Sequence, residues 1–228
     1  MRFILIFAVL ILSTGCMDKN AKPFDMKNLA KSDIDMVSDV NLKEWRKLTR
    51  ELTIKLYKRN PKELQKTPGM TVEKRLDQLF PAQRLATGFA ELNNLDGTAA
   101  VPLAFSETFH GDRVFALMAG ITGMLDAAYD GKKEIFFLDD LNQQKLYNSA
   151  RNLESVAWHL NNRKDPQGQL YILSNGISEE GISNYSYERI LGKLIGIQDL
   201  MARIISDKTN RTINRVVQGA ASMTFLPI

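Results

Sequence analysis

Residues 114–125 read VFALMAGITGML, twelve residues in which Thr122 is the one polar side chain. Apolar residues on every side of a helix leave no face for water, so such a helix is buried all round. Twelve residues are too few to cross a bilayer core, which takes about 20. The stretch therefore predicts a central core helix over about 112–130, with the rest of the chain wrapped around it. Ala116, Gly120 and Gly123 give it a smooth seam. Glycine costs about 1 kcal/mol against alanine inside a helix, so close packing at that seam is expected to compensate.

Outward from this segment the pattern is mostly helical. Ser32 suits the cap of a short first piece. Asn41 followed by Glu44 resembles a capping box that opens a helix to about Asn60. Within it Trp45, Leu48, Leu52 and Leu56 fall in one stripe. Pro61 suits the first turn of a short helix, and Pro68-Gly69 ends it. Thr71 is placed to cap a helix reaching Phe80. Residues 82–101 are weakly helical and end in a loop at 93–97. On the far side, Asp139 or Asp140 is expected to cap a helix from about Leu141 to Asn162, with Leu146, Ala150, Leu153, Ala157 and Leu160 inward. A last long helix from near Ser186 to Ile205 or beyond carries Ile190, Leu191, Leu194, Ile197, Met201 and Ile204 on one face. Its Gly192 and Gly196 form a second small-residue seam, which is expected to cross the central helix at Gly120 and Gly123. Residues 134–138 (EIFFL) read as a strand or a buried helical turn, and 170–173 (LYIL) as a strand. Turn signals stand at 165–168 and Asn175-Gly176. The tail beyond Gln218 reads as extended. The fold class is mainly α: a multi-helix domain around a buried, glycine-seamed central helix, with a minor β-hairpin left open.

The amino terminus carries a different message. Met1-Arg2 is a basic start, Phe3 to Leu12 (FILIFAVLIL) is unbroken apolar sequence, Ser13-Thr14-Gly15 is small, and Cys16 is the one cysteine. Ten helical residues span roughly 15 Å, short for a membrane anchor and suited to a signal h-region. This stretch resembles the signal peptide of a bacterial lipoprotein, with Ser13 standing where that family usually has Leu and Leu12 one step further back. The resemblance covers the leader alone. It implies cleavage between Gly15 and Cys16 and lipidation of Cys16. It also implies a folded body tied to a membrane face outside the cytoplasm. In that family Asp directly after the cysteine favours the inner membrane. Met17 stands there, with Asp18 next, so the resemblance implies the periplasmic face of the outer membrane rather than the outer leaflet of the inner one. The chain then divides into a leader (1–15), a polar lipidated tether (16–31) and a predominantly helical periplasmic domain (32–228).

Composition supplies few sites. Without Arg2, 29 basic residues stand against 26 acidic ones, a balance that selects no partner, and the implied location argues against nucleic acid. Two histidines and a cysteine committed to lipid do not make a zinc site, which draws on several such ligands. No metal or cofactor is expected. His159 on an amphipathic helix reads as structural, and His110 as part of a capping region. The acid pairs Asp139-Asp140 and Glu179-Glu180 read as a cap and a solvated loop. Residues 41–75 hold eleven basic residues against four acidic ones. Lys43, Arg46, Lys47, Arg50 and Lys58 fall opposite the Trp45–Leu56 stripe. Basic residues near an anionic membrane surface are worth about 1 kcal/mol each, so these five are the candidate surface for anionic headgroups or an acidic envelope partner.

The function expected from these features is that of a non-enzymatic accessory or scaffold subunit of an envelope system. One alternative is a carrier of an apolar ligand such as a lipid or lipid-linked precursor. Another is an enzyme acting on cell wall or lipid with dispersed catalytic residues, for which His110, Asp112 and the acid pairs are the suspects.

Overall fold

The computed structural model describes residues 29–84, 87–178, 180–215 and 222–228. The expected leader, the expected cleavage site at Gly15 and Cys16, and the expected tether through residue 28 lie outside the described residues, as do Glu179 and residues 216–221. The fold is mainly helical, with one small antiparallel sheet. No described helix is long and apolar enough to cross a membrane.

Helix α1 (Asp33–Arg59) is continuous and starts eight residues before the expected Asn41. The Ser32 hydroxyl accepts from the Asp35 amide at 3.3 Å, and the Asp35 carboxylate accepts from the Ser32 amide at 2.7 Å. This reciprocal box satisfies two amide donors that a helix start leaves open. The first turns bury Asp35, Ser38 and Asp39 rather than apolar side chains, so they carry no hydrophobic period. The carboxylates are matched. Lys208 lies 3.4 Å from Asp35, while Asp39 accepts from the Ile135 amide at 2.7 Å and pairs with Lys31. Further along, Trp45, Leu48, Leu52 and Leu56 are buried as their spacing requires. Asn60 closes the helix and takes both backbone groups of Leu173, at 2.8 Å each.

Two short helices follow, α2 (Pro61–Gln65) with Pro at its start and α3 (Val72–Leu79) capped by Thr71. Three short 3-10 turns between Ala90 and Phe105 replace the weak helix expected there. Helix α4 (Arg113–Ala128), capped by Asp112 onto the Phe115 amide at 2.8 Å, is the buried centre. From Arg113 to Leu125 every residue is buried. Helix α5 (Gln143–Asn162) packs along α6 (Ser186–Thr209) in the most extensive helix pair. The α5 cap is Asn142, whose side chain accepts from the Gln144 and Lys145 amides. Neither Asp139 nor Asp140, the two expected caps, fills that place; Asp139 instead accepts from the Phe136 amide at 2.9 Å and pairs with Lys132 at 2.6 Å. The end of the tail, residues 222–228, lies on α5 without regular structure. There Asn152 exchanges bonds of 2.8 and 2.9 Å with the Leu226 backbone.

The minor hairpin exists, one step further along the chain than the turn signals indicate. Strands β1 (Gly176–Ile177) and β2 (Ser183–Asn184) pair antiparallel. Leu170 makes an isolated bridge with Lys164, and residues 134–138 form neither a strand nor a helical turn. Only Ile135 of that run is fully buried; Phe137 and Leu138 project outward.

The two glycine seams do not meet. A Cβ on Gly120 would sit 2.4 Å from the Val101 side chain and 3.1 Å from the Gly97 carbonyl oxygen. On Gly123 it would sit 2.7 Å from the Gly97 amide nitrogen. The smooth side of α4 thus receives the 97–101 turns, whose backbone leaves no room for a methyl at either glycine. Gly192 and Gly196 face open space. Gly123→Ala should therefore destabilise by about 1–3 kcal/mol, since backbone must shift to admit the methyl. Gly192→Ala and Gly196→Ala should each stabilise by up to about 1 kcal/mol through helix propensity alone. Urea denaturation of the three variants checks this: equal effects at all three positions would contradict the packing described.

Candidate functional site: a cationic cleft beside the first helix

The stripe Trp45–Leu56 buries one side of α1, which leaves the opposite side to water. Lys43, Lys47, Arg50 and Lys58 are exposed there. Lys47 lies 3.5 Å from Glu44 in an exposed pair, which contributes little. Arg46 is different. It is half-buried, lies 3.5 Å from Asp126 of α4 and donates to the Lys132 carbonyl at 3.1 Å. It is therefore a strut between α1, α4 and the loop that follows α4.

Arg46 and Arg50 also line a cleft of about 390 Å³ together with Trp45, Phe80, Arg84, Asp126 and Lys133. Its elements are α1, the end of α3 with the turn after it, and α4 with the 131–141 loop. The Arg50 guanidinium lies 4.5 Å above the Phe80 ring and has no carboxylate partner among the described residues. Asp126 is shared, with Lys133 at 3.6 Å as well as Arg46 at 3.5 Å. Arg84 forms one wall. Its guanidinium is spent on Asp96, the Thr122 hydroxyl and the Leu79 and Ala119 carbonyls. The buried Trp45 indole N–H has no hydrogen-bond partner among the described residues. Positive charge thus exceeds negative around a recess with aromatic walls. Guanidinium groups in such a place suit a phosphate or carboxylate. Arg84 and Lys133 were not legible as part of it, because they stand outside the basic run and reach the cleft only through the fold.

Other members of that run are structural. Arg75 is wholly buried, bidentate to Glu91 at 2.6 and 2.8 Å, 3.2 Å from Asp112 and 3.9 Å above the Phe115 ring. Tyr57 donates to the same Asp112 carboxylate at 2.9 Å. Burial pushes the Asp112 carboxyl up to about 6, against the Phe115 amide, Arg75 and Tyr57, which favour its ionised form. Asp112 is thus the cap of α4 and the counter-charge of Arg75. Lys66 pairs with Glu63 at 2.7 Å, and Glu63 accepts from the Arg113 amide at 2.6 Å.

The histidines do not converge. His110 is exposed. His159 is buried among Phe105, Trp158 and Phe225, with Nδ1 2.7 Å from the Ser155 carbonyl and Nε2 without a hydrogen-bond partner among the described residues. The Ser155 hydroxyl is 3.4 Å from Nδ1, but both residues are enclosed. Among the described residues no three His, Cys, Asp or Glu side chains are grouped to hold a metal. No family model matches the chain, and neither the curated proteins nor the solved structures contain a match to it.

Burial holds the His159 imidazole below its ordinary value of 6.5. The unfolded chain then takes up this proton first as pH falls below about 6.5. The stability that neutral His159 supports is full above that pH and is lost below it. Between pH 7 and 5, wild type should lose stability relative to His159→Gln, a comparison in which other titrating groups cancel. Thermal melts of the pair across that range test it. A difference independent of pH would contradict a buried neutral imidazole.

Proposed function

We propose that this chain is a lipid-anchored envelope protein, held through Cys16 at the periplasmic face of the outer membrane. It acts there as a non-enzymatic accessory or scaffold subunit and docks through the basic side of α1 and the adjoining cleft. The observation that carries the reading is the exposure of Lys43, Lys47, Arg50 and Lys58 on one side of the helix that starts directly after the tether. Arg46 serves the same site from its half-buried place between α1 and α4. An acidic protein surface or anionic headgroups fit this charge, and the cleft gives one anionic group a recess.

The apolar-carrier reading relied on the central helix to line a cavity. In the fold that helix is enclosed by its own chain: its glycine side meets the 97–101 turns, and its remaining sides meet helices. The enzyme reading loses support because His110 is exposed and does not line the cleft, and Asp112 is bound to Arg75 and Tyr57.

The test separates surface charge from structure. Lys43, Lys47, Arg50 and Lys58 changed together to Gln should leave the thermal midpoint within a few degrees of wild type, because none of them is buried. Arg46 is kept, since its bond to the Lys132 carbonyl braces the fold. Full-length wild type purified from its own membranes in mild detergent should co-elute with a stoichiometric envelope protein or with anionic lipid, and the variant should lose it. Undiminished co-elution and full complementation of a deletion by the variant would reject this docking surface.

A further inference from the structure

We propose that Leu29, Phe137 and Leu138 form an apolar wedge that sits in the headgroup–acyl boundary of the leaflet carrying the anchor. This rests on the lipid-anchor reading above, and it fixes which corner of the body faces the membrane. Leu29 is 75% exposed, Phe137 69% and Leu138 92%. They line one shallow apolar surface together with Ala30 and Phe136. A cluster of large exposed apolar side chains marks a contact surface, whereas single ones need no explanation.

The wedge is built rather than incidental. The Phe137 amide donates to the Ala30 carbonyl at 3.0 Å, which joins the 134–138 turn to the residues before α1. Asp139 receives the Phe136 amide and Lys132, and Asp39 receives the Ile135 amide and pairs with Lys31. The amides of Ile135, Phe136, Phe137 and Asp139 are thus all bonded, so two large apolar tips are held outward. Ordered apolar tips need no further ordering when they enter a lipid interface.

Chain length selects lipid as the occupant. Leu29 is thirteen residues after Cys16, and thirteen residues fully extended reach at most roughly 45 Å. The wedge stands where the tether enters the body, so it is the corner that a lipidated Cys16 holds within reach of the bilayer. Charge agrees. Lys133 on the same loop is about half exposed and borders the cationic cleft, whereas the Lys31 side chain, over the Phe136 ring, is buried and paired with Asp39. Apolar tips beside an exposed cation and a cationic cleft match acyl chains below anionic headgroups. The β1–β2 hairpin makes a good contrast. Its Ile182 is as exposed as Phe137, at 69%. It stands near the other end of α1, where Gly176 adjoins Arg59 and Tyr187 bonds the Lys55 carbonyl. A 27-residue helix puts about 40 Å between those ends.

The full chain carrying Phe137→Trp or Ile182→Trp is reconstituted in phosphatidylethanolamine–phosphatidylglycerol vesicles, with and without bromine on the acyl chains. Vesicle flotation and the mass of the amino-terminal peptide are measured on the same samples. Emission from Phe137→Trp should shift to shorter wavelength and fall with brominated lipid. Emission from Ile182→Trp should do neither. Leu138→Trp repeats the test within the same turn, and wild type supplies the Trp45 and Trp158 background. A floating, acylated chain with Phe137→Trp unquenched would overturn the wedge and leave the anchor standing; residues 17–28 or a protein would then be its cover. Equal quenching at 137 and 182 would overturn the stated orientation. A chain without acyl mass that still shows quenching at 137 alone would keep the wedge and remove the anchor. A chain that neither floats nor quenches would remove both.

Discussion

A helix with no polar face has to be enclosed by its own chain, and α4 imposes that requirement on everything around it. Its glycine side is covered by the 97–101 turns, which lie against Gly120 and Gly123. Its start has to bring an N-cap into the interior. Asp112 supplies the cap, which places a carboxylate among apolar residues. Arg75, itself bidentate to Glu91, balances that charge, and Tyr57 adds a hydrogen bond. A buried pair of this kind is costly to break, because the remaining charge has no partner. The basic character of residues 41–75 is therefore partly internal. What is left for the surface is the outer side of α1, with Lys62 and Lys74 on the two short helices after it.

That division explains what the sequence reveals and what it hides. The apolar run 114–125 predicts a buried helix, and the stripe Trp45–Leu56 predicts which side of α1 faces it; both follow from periodicity alone. Ser32 was legible as a cap, but the continuity of α1 from there through Asn41 was hidden, because Asp35 and Asp39 are buried by pairing with Lys208, Lys31 and the Ile135 amide and Ser38 by donating to the Ile34 carbonyl. Polar burial of this kind leaves no apolar period, and Lys208 and Ile135 are far away in sequence. The seam at Gly120 and Gly123 was legible as a close approach, but the identity of its neighbour was not, since small residues invite any backbone. The run EIFFL looked like core because it is apolar. Its fate was set by Asp139, which folds the segment into a turn and leaves Phe137 and Leu138 outside.

The candidate site follows the same rule. Arg46 and Arg50 were visible in the charge pattern on one helix, whereas Arg84 and Lys133 come from two other segments and join them only in the fold. A linear count also cannot separate a free guanidinium from one that braces the structure. Arg50 rests over Phe80 with no carboxylate among the described residues, while Arg46 ties α1 to Asp126 and the Lys132 carbonyl. The loop that receives Arg46 is also the loop that carries Phe137 and Leu138. Cationic cleft and apolar wedge thus share one element, close to the point where the tether joins the body.

The proposed membrane address rests on the chemistry of one residue. The most direct measurement is mass spectrometry of the amino-terminal peptide of the protein isolated from its own cells. The account predicts a peptide that begins at Cys16 and carries a thioether-linked diacylglycerol, with or without a third acyl chain on its amine. A peptide that begins at Met1, or one with a free Cys16 thiol, would contradict it.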